Sequence, residues 1–148
     1  VSVDDTTSLS GPADNPYSSW VREVGQSDLG SKFGFMWLTD VTVTSRHQSG
    51  TAQTVLLVGI IAGRPATVTT TGTAVRDALS LHSSYFDIDV TPRYDDVAVG
   101  HPFAGEILGL TELGITTGCT ETSFCPSDFV TREQMAAFLT RALTLPAG

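Results

Sequence analysis

Val130-Thr131-Arg132-Glu133-Gln134-Met135 reads as the opening of an α-helix. Thr131 stands where an N-cap hydroxyl is wanted, and Gln134 three residues later completes a capping box, each side chain serving the other's backbone N–H. Beyond it Met135, Phe138, Leu139 and Ala142 recur on one helical face. Such a stripe needs a partner. Upstream, Ile107, Leu110 and Leu113 line one side of a second helix that ends before Gly114. Gly114-Ile115-Thr116-Thr117-Gly118 then turns the chain, and Phe124 and Pro126 follow. The expectation is two helices packed across a structured loop, entered through Tyr94-Asp95-Asp96-Val97 and His101-Pro102-Phe103-Ala104.

That loop carries both cysteines, Cys119 and Cys125, with five residues between them. An isolated pair in a chain of extracytoplasmic character favours a local disulfide. Zinc binding or free thiols are the alternatives, but His47, His82 and His101 show no ligand spacing beside the pair. No metal or cofactor is expected.

Ahead of about Asp89 to Tyr94 the pattern is different, and the chain is expected to divide into residues 1–91 and 92–148. Strand-like runs cover Leu38 to Thr44, Thr54 to Ile61 and Ala66 to Thr71. In the first, alternation sets Thr39, Val41 and Val43 on one face and Leu38, Asp40, Thr42 and Thr44 on the other. The second is apolar almost throughout, as in a central strand, and Ala62-Gly63-Arg64-Pro65 turns it into the third. Thr73 can cap a short helix bearing Val75, Ala78 and Leu79, with Arg76 and Asp77 outward. Tyr85 to Val90 reads as a further strand. The opening through Gly11-Pro12-Ala13-Asp14-Asn15-Pro16 reads as loop until Trp20 anchors it in the core. The fold class is therefore α+β: a small antiparallel sheet with a short helix, followed by a helix–loop–helix module.

The chain of 148 residues has a net charge of −8, and its 8 Lys and Arg residues are scattered. Nucleic acid and anionic membrane are excluded as partners on that count. Charged residues make up only 16%, with Thr, Ser, Gly and Val abundant, a composition common in exported proteins. The sequence starts at Val1, and neither a basic-then-apolar leader nor a membrane-length apolar segment is present. The expectation is a soluble, trimmed piece of an exported protein.

Residues from about Tyr94 to Pro146 resemble one S-layer homology module. The likeness rests on five elements in order: Asp96-Val97, His101 before the first helix, Gly114-Ile115-Thr116-Thr117-Gly118, Phe124-Cys125-Pro126, and Thr131-Arg132-Glu133. The resemblance implies an extracellular bacterial protein held non-covalently to cell-wall polysaccharide or peptidoglycan. It also implies a binding set of Arg132, Thr131, Glu133, Asp96, His101 and Gly118, with Arg132 contacting an acidic sugar through its planar paired donors. The plainer role for Arg132 is an ion pair with a nearby Asp or Glu that holds the loop. Two features depart from the family pattern. Members that anchor tightly carry three modules where one is visible here, and His101 stands in place of a Trp or His-Trp. A single module leaves room for a homo-oligomer.

Residues from about Asp4 to Val90 resemble the C-terminal part of the sporulation stage II protein D family, peptidoglycan lytic transglycosylases. The shared features are Asn15-Pro16-Tyr17, Trp20, the strand pair, Gly72, and Val75-Arg76-Asp77-Ala78-Leu79-Ser80-Leu81 with Ser83-Ser84 and Phe86. In that family the catalytic acid lies upstream of anything matched here. A transglycosylase needs a carboxylic acid of raised pKa beside the scissile bond, and no carboxylate of this chain occupies such a motif. No catalytic residue is assigned. Three readings follow: a wall-binding part of a peptidoglycan-remodelling protein, a self-assembling surface-layer or filament protein, and an intact small hydrolase or transglycosylase, which would need a carboxylate pair in a cleft.

Overall fold

A computed structural model describes residues 2–4 and 20–144, in two compact units, Val1–Thr91 and Pro92–Gly148. The fold is α+β. The Gly11 to Pro16 loop and the Asn15-Pro16-Tyr17 element lie outside the described residues.

In the first unit, β3 (Trp37–Arg46), β4 (Ala52–Ile61) and β5 (Arg64–Thr71) form an antiparallel sheet with β4 central. β4 carries its apolar run for that reason: Val55 and Leu57 are fully buried, and Val58 and Leu56 half-buried on the opposite face. The β4–β5 turn is two residues, Ala62 and Gly63, both at positive φ, which matches the twist of the strands it joins. The simple alternation read along β3 fails at its start. The register shifts between Leu38 and Asp40, leaving Thr39 as an extra residue whose hydroxyl donates to the Val58 carbonyl. This bulge moves Leu38 from the polar face into the core with Val41.

β5 runs straight into α2 (Gly72–Leu79), and the cap is Thr71, not Thr73: the Thr71 hydroxyl accepts from the Ala74 N–H at 3.1 Å. The strand and helix can meet without a loop because Gly72 lies against the Ala52 backbone, where a Cβ would collide with the carbonyl. Val75 and Leu79 bury the inner face of α2.

A second antiparallel sheet, in the order β2-β1-β6, joins β1 (Ser2–Asp4), β2 (Val21–Glu23) and β6 (Asp87–Asp89). β6 is shorter than the Tyr85 to Val90 run suggested. It is tied to β3 by Arg46, which pairs with Asp87 and donates to the Phe86 carbonyl. The short helix α1 (Gln26–Lys32) contributes one buried apolar side chain, Leu29, too little to announce itself by periodicity. Trp20 is partly buried against this core, beside His82.

The second unit is built on α3 (Ala104–Glu112) and α4 (Arg132–Leu143). Its core is small: Tyr94, Val97 and Ile107 buried, with Ala104 and Phe124 packed against them. α3 ends at Gly114 as expected, the Ile115 N–H bonding the Leu110 carbonyl and the Gly114 N–H that of Thr111. The packing of α4 beside α3 is slight: Phe138 is half-buried and lines a cleft with Leu110 of α3. No residue of α4 is buried, and Met135 and Leu139 are 47% and 55% exposed. α4 is also tied to the chain just after α3 by Arg141, which donates to the Ile115 carbonyl at 2.7 Å.

Candidate functional site: the loop between the two helices

Asp96 organises the loop from a distance of nearly thirty residues. Its two carboxylate oxygens accept the Phe124 N–H at 2.8 Å and the Cys125 N–H at 2.7 Å. Those hydrogen bonds, Phe124's first, hold its carboxyl below the ordinary carboxylate value, against a weaker opposing effect of desolvation. The Asp95 N–H bonds the Thr122 carbonyl alongside.

Gly118 begins the tight part of the loop at φ +81°, a conformation that side-chain-bearing residues rarely adopt. A Cβ there would run into the Ser123 carbonyl oxygen and come within 2.9 Å of the Tyr94 ring. The next residue, Cys119, is disulfide-bonded to Cys125 across a Cα separation of 6.0 Å. Inside the bridge the Cys119 N–H bonds the Ser123 carbonyl, and the Thr120 hydroxyl accepts from the Ser123 N–H. Tyr94 supports the loop from beneath. It is 1% exposed, its ring lies 5.6 Å from that of Phe124, its hydroxyl is 3.1 Å from that of Thr111, and Arg93 covers its face at 4.9 Å.

At the other end of the loop the capping box is complete. The Thr131 hydroxyl accepts from the Gln134 N–H at 3.1 Å, and the Thr131 N–H donates to Gln134 Oε1 at 2.9 Å. Arg132 is therefore the first residue of α4, and its side chain is exposed. Among the described residues, the ion pairs are Arg46 with Asp87 and Arg76 with Asp77, and Arg132 has neither an ion-pair nor a hydrogen-bond partner. The other two arginines of this unit contrast with it: Arg93 donates to the Glu121 carbonyl and Arg141 to that of Ile115. A cation in the first turn of a helix faces the positive end of the helix dipole, so this position gives Arg132 no local stabilisation.

Between the loop and α4 lies a cleft of about 260 Å³. Leu110, Ile115, Phe124, Phe129 and Phe138 supply its apolar lining, the disulfide part of its wall, and Asp128 and Gln134 its polar edge. Asp96, Gly118, Cys119 and Cys125 thus belong to one constructed loop, and Thr131, Arg132 and Glu133 to the helix start beside it. His101 stands apart, its Nδ1 accepting the Phe103 N–H at the entry to α3. Phe129 and Asp128 were not singled out in the sequence. Neither belongs to the capping motif, in which Val130 is the residue placed to staple the helix start.

Residues 93–136 match the family model of the S-layer homology domain. No curated protein and no solved structure matches the chain. The S-layer homology match lies in mid-chain and ends within α4, so it takes in the Asp96 clamp, the disulfide loop and the Arg132 helix start. An S-layer homology domain marks a bacterial protein attached at the cell wall or surface, where wall polymers are its partners. No helix among the described residues is long and apolar enough to cross a membrane.

Proposed function

We propose that residues 92–148 bind an acidic cell-wall glycopolymer non-covalently, with Arg132 as the principal contact, and so retain an exported bacterial protein at the wall. The observation that supports this most is the exposed guanidinium of Arg132 at the start of α4, without a partner among the described residues and inside the S-layer homology match. A guanidinium offers a carboxylate two parallel donors, and here neither is taken by an ion pair among the described residues. Thr131 fixes the helix start, Glu133 lies beside Arg132, and Asp96 and Gly118 hold the loop. His101 is a further candidate contact at the entry to α3. On the likeness of its sequence to the sporulation stage II protein D family alone, we extend the reading of the first unit to part of a peptidoglycan-remodelling protein.

The test is sedimentation of the chain and of Arg132→Ala with purified sacculi, before and after chemical removal of the attached glycopolymer. Binding by the parent chain that is lost on stripping the polymer and on replacing Arg132 supports anchoring. Equal binding to stripped and intact sacculi refutes it.

A second reading, self-assembly into a surface layer or filament, is favoured by the uncovered apolar face of α4, where Leu139 and Leu143 are 55% and 85% exposed. Light scattering on the chain without polymer separates the two.

A further inference from the structure

Phe129 is 100% exposed, yet it lines the cleft beside α4. Full exposure means that its ring contributes nothing to the core, and its place outside the capping box means that it contributes nothing to the helix start. Burying a phenylalanine ring stabilises by about 1.5–3 kcal/mol relative to leaving it in water, and the fold forgoes that here. What surrounds the ring is specific. Phe124, Phe138 and the disulfide give the cleft apolar walls, Asp128 offers a carboxylate, and Gln134, whose Oε1 is taken by the Thr131 N–H, has its amide NH2 left to donate. The cleft is smaller than the roughly 300–1,000 Å³ typical of sites for drug-sized ligands. Arg132, the unpartnered cation, follows three residues after Phe129 in a chain of net charge −8.

We infer that Phe129 is a stacking platform for a pyranose ring of the polymer, seated in this cleft next to the acidic sugar held by Arg132. This rests on the wall-polymer reading above and adds to it a residue and a second subsite. A pyranose presents a C–H face that packs on an aromatic ring and a rim of hydroxyls that reach acceptors and donors, which is the combination Phe129, Asp128 and Gln134 offer. A hydrocarbon chain would strand the Asp128 carboxylate against apolar surface, which is costly. A compact anion would have no use for the ring and would be repelled by Asp128. Arg132 is the local point at which an acidic sugar can be held, and the Asp128 carboxylate in the cleft calls for an uncharged ring there.

The experiment titrates the full chain with the glycopolymer fraction released from purified sacculi, comparing the parent with Phe129→Ala, Phe129→Trp and Arg132→Ala. Thermal unfolding and light scattering are run on each. Phe129→Ala is expected to bind roughly tenfold more weakly, with an unchanged melting temperature because the side chain is outside the core. Phe129→Trp is expected to retain binding and to shift its added indole emission to the blue when polymer is present. Arg132→Ala failing while Phe129→Ala binds as the parent does would overturn the stacking role and leave the anchoring function intact. No binding by the parent would remove both. Loss of an oligomer in Phe129→Ala with no change in polymer affinity would assign the ring to a protein contact and overturn the inference.

Discussion

Replacing Gly118 by alanine is expected to unfold the second unit while sparing the first. At φ +81° an alanine sits in the left-handed region, at a cost of about 1–2 kcal/mol. Its methyl would also meet the Ser123 carbonyl and the Tyr94 ring, and relieving such overpacking costs typically about 1–3 kcal/mol more. Both obstacles are anchored: Ser123 accepts from the Cys119 N–H within the disulfide loop, and Tyr94 is the centre of the core. The sum of roughly 2–5 kcal/mol is comparable with the 3–5 kcal/mol that a small single core supplies. The two units can be followed separately because both tryptophans, Trp20 and Trp37, lie in the first. Tryptophan fluorescence should therefore show the parent's transition. Far-ultraviolet circular dichroism should lose the α3 and α4 contribution, or melt it at least about 8 °C lower, at about 4–8 °C per kcal/mol for a domain of this size. A helix signal that melts within about 2 °C of the parent would refute the steric reasoning at Gly118.

Asp96→Asn should flatten the acid limb of the second unit's stability. A carboxyl held below its ordinary value in the folded state contributes stability that is present above the unfolded pKa and lost as pH falls through the folded one, so the parent should weaken below about pH 4 and the variant should not show that extra loss, as read by unfolding midpoints between pH 2 and 6. Thr131→Ala removes the capping hydroxyl and should cost α4 about 1 kcal/mol, seen as faster amide exchange in Glu133 to Met135 with α3 unaffected. Reducing the Cys119–Cys125 bridge opens a short loop and should cost roughly 2 kcal/mol on loop-closure grounds, with the transition followed in Cys119→Ser/Cys125→Ser.

The parts of the fold that could be read in the sequence are those whose physical cause is local. The capping box at Thr131 and Gln134, the helix end at Gly114 and the apolar run of β4 each depend on residues within one turn or one strand. What was misread depends on distant partners. The bulge at Thr39 exists because of its pairing with β4, and the start of α2 moved to Thr71 because Gly72 must clear Ala52. α1 offers only Leu29 to a periodic reading. The site divides in the same way. Arg132 and the cysteines stood out by motif and spacing, but the role of Asp96 as a clamp on residues 28 and 29 positions away appears only when the loop is folded back. Phe129 carries no motif at all, and its exposure is visible only in three dimensions.

A twelve-residue helix with no buried side chain has a further consequence. Isolated helices of this length are marginal in water, so α4 depends on its capping box, on the tie from Arg141 to Ile115 and on the half-buried Ala137 and Phe138, and under the proposed function a ligand held at its first turn would add to that support. Under the proposed function, affinity at Arg132 would depend in part on how readily residues far from the ligand stay helical. Glycine at Ala136 or Ala137, each worth about 1 kcal/mol of helix propensity, would weaken binding through residues the polymer never touches. Under the same proposal warming would loosen the grip, and attachment would then be a thermal property of the helix as much as a chemical property of the guanidinium.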